Sequence, residues 1–460
     1  MNAKRVLEEN KLAIIASIIC IIAVGAYLIV TAYPFVPDVF ERMRIANFII
    51  EKGSIPAFDQ QILPSGAPYV YPPLVDYFLA FISIITGQPV FTAWKIAAFL
   101  IFLFFLAGFI KFCRLFLNDG QTAFAIIILF FIKIVFVRFT TYVAETMALG
   151  FFIWFLYFLY KRKAIPAGII LGLIALAHFR TFSVSILVLL IFAVFLAFKK
   201  EKVLIPFKAF AASIIIWIWW YVPNINSLLG LHNYTDFTQN FLADFLTIPR
   251  LLFWVLLIFF LVFFYFKRKS NDSEKLHFLY FIGLVPLLFV FLFYFIPVVP
   301  APLRFMMFAM IPSVLLCAIG WDFAFSKVSK NQLVSLIVLS AVAFALFYPI
   351  IPASVYSGEH AMLADFIGKS QGKNASVLAP DTLSAFLSFK GFNVMTGAYL
   401  ERIPDAEQRL IDWDYFSRTL DPKILEKYNA NCFVLFRKVQ TENFELKYSS
   451  ASLFFYCLKS

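Results

Sequence analysis

The chain has 460 residues, of which 62% are hydrophobic and 14% are charged. Soluble globular domains carry roughly a quarter charged residues, so this balance excludes a soluble enzyme, and long unbroken apolar runs exclude a β-barrel of short alternating strands. The net charge of +12 does not indicate a nucleic-acid partner, because the basic residues cluster in short loops between apolar runs.

About eleven apolar runs approach the ~20 residues needed to cross a bilayer. At this hydrophobicity only helices satisfy their own backbone in lipid, so the expected fold class is a polytopic α-helical membrane protein. The first run, from Leu12, is too long for a signal-peptide core and reads as a span over 12–33 with the N-terminus inside. A large outer loop follows over 34–92. Inside it, Leu74–Thr86 is apolar but short. Counting it as a span would put Lys111 and Arg114 outside, so it reads as an interfacial helix. Later spans are expected over 93–112, 121–138 and 146–160, then in a hairpin with its outer tip at His178–Thr181, then over 203–222. An outer loop, 223–248, follows. The eighth span returns to Lys267, Arg268 and Lys269, and the last three cover 276–296, 304–325 and 332–351. Every second loop is basic, as the positive-inside rule requires.

Composition changes after Ile351. Residues 352–460 alternate short strand and helix patterns, among them Ser376–Ala379, Thr382–Phe389, Cys432–Phe436 and Leu453–Tyr456. Two domains are therefore expected: a transmembrane domain over 1–351, with its outer loop 34–92, and a small extracytoplasmic α/β domain over 352–460. Cys432 and Cys457 could join neighbouring strands there, a pairing that the cysteine count alone does not fix. The expected location is the cell membrane, multi-pass, with a cytoplasmic N-terminus and the C-terminal domain outside.

Ionisable residues near the outer membrane surface are few. Asp38 follows the first span directly, Lys133 and Arg138 end the third, and Glu145 opens the fourth. His178 and Arg180 sit on the hairpin tip, and Arg304 opens the tenth span. Charge at membrane depth is costly, so such residues usually face a cavity or one another. Arginine suits a phosphate-bearing ligand, and a carboxylate can act as general base or hold a divalent cation. Structural roles stand beside these. Asp38 could cap a helix whose apolar face is Val39, Met43, Ala46 and Ile50, Glu145 suits a helix dipole, and Arg304 could snorkel.

The order of a span, Asp38 with an amphipathic helix, a Tyr71-Pro72-Pro73-Leu74 corner and a second outer acid at Glu145 resembles the GT-C superfamily of membrane glycosyltransferases. The runs Asp38–Gly53, Pro56–Asp59 and Gly66-Ala67-Pro68 are most similar to archaeal oligosaccharyltransferase catalytic subunits and dolichyl-phosphate-mannose protein mannosyltransferase-like enzymes. The resemblance implies that Asp38 and Glu145 are the catalytic acids and could share a magnesium or manganese ion, with no other cofactor. It implies that Arg304 contacts the carrier phosphate, helped by Arg138, Arg180 or His178, and that Tyr71 and Asp236, the latter in a gating loop with His232 and Asp244, serve the acceptor side. The donor would be a polyprenyl- or dolichyl-phosphate-linked sugar lying in membrane lipid, and the acceptor a protein, lipid or glycan. Oligosaccharyltransferases carry Trp-Trp-Asp-Tyr-Gly. The nearest string here, Trp413-Asp414-Tyr415-Phe416, lacks the first Trp and the Gly, and reads as coincidence. The alternative within the class is transfer of a lipid-linked glycan to protein Asn. A lipid or sugar transporter or flippase would instead need ionisable residues at the bilayer midplane and broken helices, and a scaffold or sensor would not need Asp38 or Glu145.

Overall fold

The structure is a computed structural model that describes residues 10–225, 278–279, 306–325 and 356–459, apart from 65, 132, 202, 397–402 and 404. The chain runs through α1 (Lys11–Val30), α2 (Asp38–Lys52), a hairpin of β1 (Phe58–Asp59) and β2 (Ala67–Pro68), α3 (Leu74–Thr86) and α4 (Val90–Cys113). It continues as α5 (Asp119–Phe131), α6 (Lys133–Phe139), α7 (Ala144–Tyr160), α8 (Ala164–Ala177), α9 (Phe179–Phe198), α10 (Leu204–Tyr221) and α11 (Met306–Phe325). Among the described residues, α1, α4, α9 and α10 are long and apolar enough to cross a membrane. The expected eighth and eleventh spans and the loop from 226 to 248 lie outside the described residues, as does nearly all of the ninth span.

Helix packing follows from residue size. Gly168 and Gly172 of α8 form a small-xxx-small stripe that lets α10 approach closely. A Cβ on Gly168 would lie 2.4 Å from the Ala209 carbonyl oxygen, and one on Gly172 would lie 2.6 Å from the Ile216 Cβ. On α4, Gly108 leaves room for the Trp154 indole, whose Nε1 donates to the Phe104 carbonyl at 3.1 Å. Phenylalanines fill the centre: Phe102, Phe105, Phe130 and Phe139 are buried, with Phe105 and Phe139 centroids 4.4 Å apart. At the end of the bundle away from Asp38, Asp119 accepts from the backbone N–H groups of Leu12 and Ala13 and pairs with Arg114 at 2.6 Å. The start of α1 and the α4–α5 turn are thus tied at one membrane face.

At the other face, α2 and α3 each end on a left-handed glycine, Gly53 and Gly87, which accept that backbone without steric cost. Ile50, read from sequence as part of the buried face of α2, is 41% exposed, while Ile45 and Ile49 are buried. The helix is covered by α3 on one side and by a C-terminal helix on another, so its buried arc is broader and turned away from Ile50.

The C-terminal segment comprises α12 (Gly358–Ser370), β3 (Ser376–Leu378), α13 (Asp381–Phe389), β4 (Asn393–Val394), α14 (Ala406–Thr419), α15 (Pro422–Lys427), β5 (Cys432–Leu435), β6 (Phe444–Ser449) and β7 (Phe454–Leu458). Among the described residues five strands form one sheet in the order β4-β3-β5-β7-β6. β3 runs parallel to β4 and β5, whereas β7 runs antiparallel to β5 and β6. Alternation sets the two faces: Phe433 and Leu435 pack with Phe416, Tyr428 and Tyr456, while Cys432 and Val434 join the larger core. Cys432 and Cys457, directly opposite in the ladder, form a disulfide.

Two stability tests follow from this packing. Gly168→Ala, which forces a Cβ against the α10 backbone, is expected to cost about 1–3 kcal/mol, read as a lower thermal midpoint in detergent; an unchanged midpoint would refute the close approach. Cys432→Ser with Cys457→Ser opens a 25-residue link and is expected to cost about 3 kcal/mol in denaturant unfolding of the C-terminal segment.

Candidate functional site

The face opposite Asp119 gathers around α2. Asp38 is the first helical residue, with Pro37 at the N-cap position. The sequence suggested Asp38 itself as the cap. Proline's fixed φ already suits a helical start, so the acid moves into the first turn. Asp38 is half-buried. Its charge reaches Tyr356, whose phenol is pushed well up, first by burial and then by the Asp38 carboxylate. Two residues on, the Phe40 ring packs against Tyr356, Phe386 and Phe389 at centroid distances of 4.6, 5.1 and 5.8 Å. The start of α2 is therefore walled by aromatic side chains from the C-terminal segment.

Two arginines fasten the same helix. Arg42 and Asp76 are fully buried, with Nη1 2.8 Å from Oδ2. The Tyr69 hydroxyl accepts from Arg42 at 2.9 Å and donates to Asp76 at 2.7 Å, and the guanidinium carbon lies 3.9 Å from the centre of the Tyr71 ring. Burial pushes the Asp76 carboxyl above its usual range, against the pull of Arg42 and Tyr69. Two residues on, Arg44 pairs with Glu41 at 2.7 Å and with Asp59, and donates to Gln61 Oε1 at 3.0 Å. Burial alone would lower the Arg44 guanidinium; Glu41 and Asp59 reverse that and raise it. Gly66 closes the β1–β2 hairpin at φ +80°, where any Cβ would meet Phe58 and the Asp59 carbonyl.

Glu145 opens α7, is 4% exposed and pairs with Arg138, at the end of α6, at 3.2 Å. Just before it, the buried Tyr142 donates to the Val75 carbonyl at 2.6 Å, which joins the α6–α7 turn to α3. Tyr142 is pushed far up by burial and then by the Asp76 charge. Hence α2, α3 and the Glu145 turn share one face. His178 caps α9, its Nδ1 accepting from the Thr181 N–H at 3.3 Å, and Arg180 is half-buried in the following turn. Their helix hairpin reaches the face through contacts between α8 and α3. Lys133 begins α6. Arg304, Asp236, His232 and Asp244 lie outside the described residues.

Sequence reasoning passed over Arg42, Arg44, Asp59, Gln61 and Asp76. Asp76 gave a signal: it is the only acid in the apolar helix Leu74–Thr86, and a lone acid there demands a counter-charge. Among the described residues no three His, Cys, Asp or Glu side chains gather at metal-binding distance, and Glu145 already has Arg138 beside it. The described residues therefore do not complete a cation site.

No family profile and no curated protein sequence matches the chain. Solved structures do. The oligosaccharyltransferase of Archaeoglobus fulgidus, in its apo form, superposes with a TM-score of 0.61 at 13% identity, over 93% of this chain and 69% of that one. ArnT from Cupriavidus metallidurans bound to undecaprenyl phosphate gives 0.60 at 12% identity, over 97% of both chains. The mycobacterial arabinofuranosyltransferase AftD gives 0.57 at 13% identity, over 98% of this chain and 40% of that one. All three are GT-C glycosyltransferases. The chain has the GT-C fold. With its membrane-length apolar helices, the chain is an integral membrane protein.

The buried Arg42–Asp76 pair carries a prediction. Removing either partner strands a charge, so Arg42→Ala or Asp76→Ala is expected to cost about 3–5 kcal/mol in thermal unfolding. The double variant is expected to cost clearly less than the sum of the two; simple additivity would show that the groups do not interact.

Proposed function

We propose that the chain is a membrane glycosyltransferase that moves a sugar from a polyprenyl- or dolichyl-phosphate carrier to an acceptor at the extracytoplasmic face. The observation that carries this reading is the placement of Asp38. It lies half-buried in the first turn of an amphipathic helix directly after the first span, in a GT-C fold. Solved relatives of that fold hold undecaprenyl phosphate or a dolichol-phosphate.

In the proposed step the Asp38 carboxylate takes the proton from the acceptor nucleophile as that atom attacks the anomeric carbon. The bond from that carbon to the carrier phosphate oxygen breaks, and the electron pair leaves with the phosphate. Arg304 and Arg180 would meet the developing charge on the phosphate. Glu145, held by Arg138, would orient the acceptor, and Tyr71 and Asp236 would border the acceptor path.

The reading includes about eleven spans, a transmembrane domain over 1–351 and an outer domain over 352–460. Two observations support this orientation: the Cys432–Cys457 disulfide suits an oxidising compartment, and Asp119 ties the start of α1 to the α4–α5 turn at the opposite face. Transfer of one sugar is favoured over transfer of a whole glycan to Asn. The Trp413-Asp414-Tyr415-Phe416 string lies inside α14, with Asp414 paired to Arg418 at the surface, and the superposition with ArnT covers 97% of both chains.

The test is to incubate membranes containing the protein with a panel of polyprenyl-phosphate sugars and to measure loss of the carrier-linked sugar. Wild-type protein is expected to transfer one of them, and Asp38→Asn to reduce the rate about 10²–10⁴-fold. No transfer from any carrier, or an unchanged rate in Asp38→Asn, would overturn the assignment.

A further inference from the structure

The C-terminal sheet does more than stand beside the membrane domain. Its edge strand β4 accepts a further partner from the outer loop of the membrane domain. Ile62 forms a parallel bridge to Val394. The Val394 N–H donates to the Gln61 carbonyl at 2.9 Å, and the Leu63 N–H donates to the Val394 carbonyl at 2.8 Å. Arg409, 1% exposed on α14, donates through Nη1 to the Leu63 carbonyl and to the Met395 carbonyl, so one guanidinium grips both the loop and the end of the sheet edge.

Gln61 stands at the centre of this seam and is bonded through both its backbone and its side-chain oxygen. Its N–H donates to Asp59 Oδ1 at 3.2 Å, and its carbonyl accepts from Val394. Its side-chain Oε1 accepts from Arg44 Nη1 at 3.0 Å and from the Ser388 hydroxyl of α13 at 3.2 Å. Arg44 in turn holds Glu41, one helical turn from Asp38. A continuous polar path therefore runs from the C-terminal helix through one glutamine side chain to the turn bearing Asp38. The Phe40 contacts with Tyr356, Phe386 and Phe389 run parallel to it.

We propose that the C-terminal sheet is a positioning element for the Asp38 helix and acts through Gln61, so that reaction geometry depends on the docking of a segment remote in sequence. The first turn of a helix is where opening is easiest, and a reacting group misplaced by ~1 Å can cost about 10²-fold in rate. A helix lying on a membrane surface and carrying a base in its first turn therefore needs an external hold. Gln61 is a positioning residue, not a catalytic one. Its role in turnover rests on the assignment of Asp38 above; its role in holding the turn does not.

The experiment compares Gln61→Ala with Gln61→Glu, which keeps an acceptor oxygen for Arg44 and Ser388, in the full-length protein. Hydrogen exchange at the amides of 39–44 is expected to quicken about tenfold in Gln61→Ala, with exchange in β5 and β7 unchanged and with Gln61→Glu close to wild type. Turnover of the carrier-linked sugar found by the panel is expected to show kcat down about tenfold and KM unchanged in Gln61→Ala, restored largely in Gln61→Glu. Unchanged exchange at 39–44, or exchange rising equally across β5 and β7, would overturn the positioning role. If Asp38→Asn transfers at the wild-type rate, the sugar-transfer reading fails by itself, and the exchange data alone decide whether Gln61 holds the helix.

Discussion

A fully buried guanidinium–carboxylate pair, Arg42 with Asp76, fixes the face of this molecule that carries Asp38. Two charges taken out of water are tolerable only when each answers the other and hydrogen bonds complete them. Tyr69 supplies such bonds, and Tyr71 lays its ring against the cation. The pair dictates where α3 must lie relative to α2. That placement sets where the Tyr142 hydroxyl finds the Val75 carbonyl, and so where the turn carrying Glu145 arrives. Side chains from helices far apart in the chain reach one face because two of those helices cannot separate without stranding a charge.

The second arginine, Arg44, works outward rather than inward. It binds Glu41, Asp59 and Gln61, tying the helix to its own following loop, and that loop extends the C-terminal sheet at β4. The two arginines lie two positions apart in one helix, so they project to different sides. One locks α2 to α3, the other links it to the C-terminal sheet. Asp38, in the first turn of that helix, therefore opens a helix anchored on two sides.

Much of the molecule was legible in the chain. Apolar run lengths placed α1, α4 and α10 within a few residues, and the turn before α9, because a helix in lipid must be both long and apolar. The punctuation by Gly53 and Gly87 is local chemistry, as is the reading of Leu74–Thr86 as a short helix. Cys432 and Cys457 gave only an option, because spacing does not fix a partner; the antiparallel register of β5 and β7 sets them opposite each other. Asp38 and Glu145 stood out as acids at span ends. Asp76 is hidden as one acid in an apolar helix, and Gln61 is an ordinary polar residue in a loop.

The sequence by itself determined the class of protein, the position of its described apolar helices, the strand and helix pattern after Ile351 and the likeness to GT-C glycosyltransferases. These follow from composition, periodicity and short-range signals along the chain. Only the tertiary structure decided that Arg138 answers Glu145, that Arg42 answers Asp76, and that Gln61 and Ile62 complete an edge of a sheet more than three hundred residues away. Such pairings depend on which surfaces meet after the helices pack. A buried charge or an unpaired strand edge states that a partner is required, and only the packing of the whole chain specifies which one.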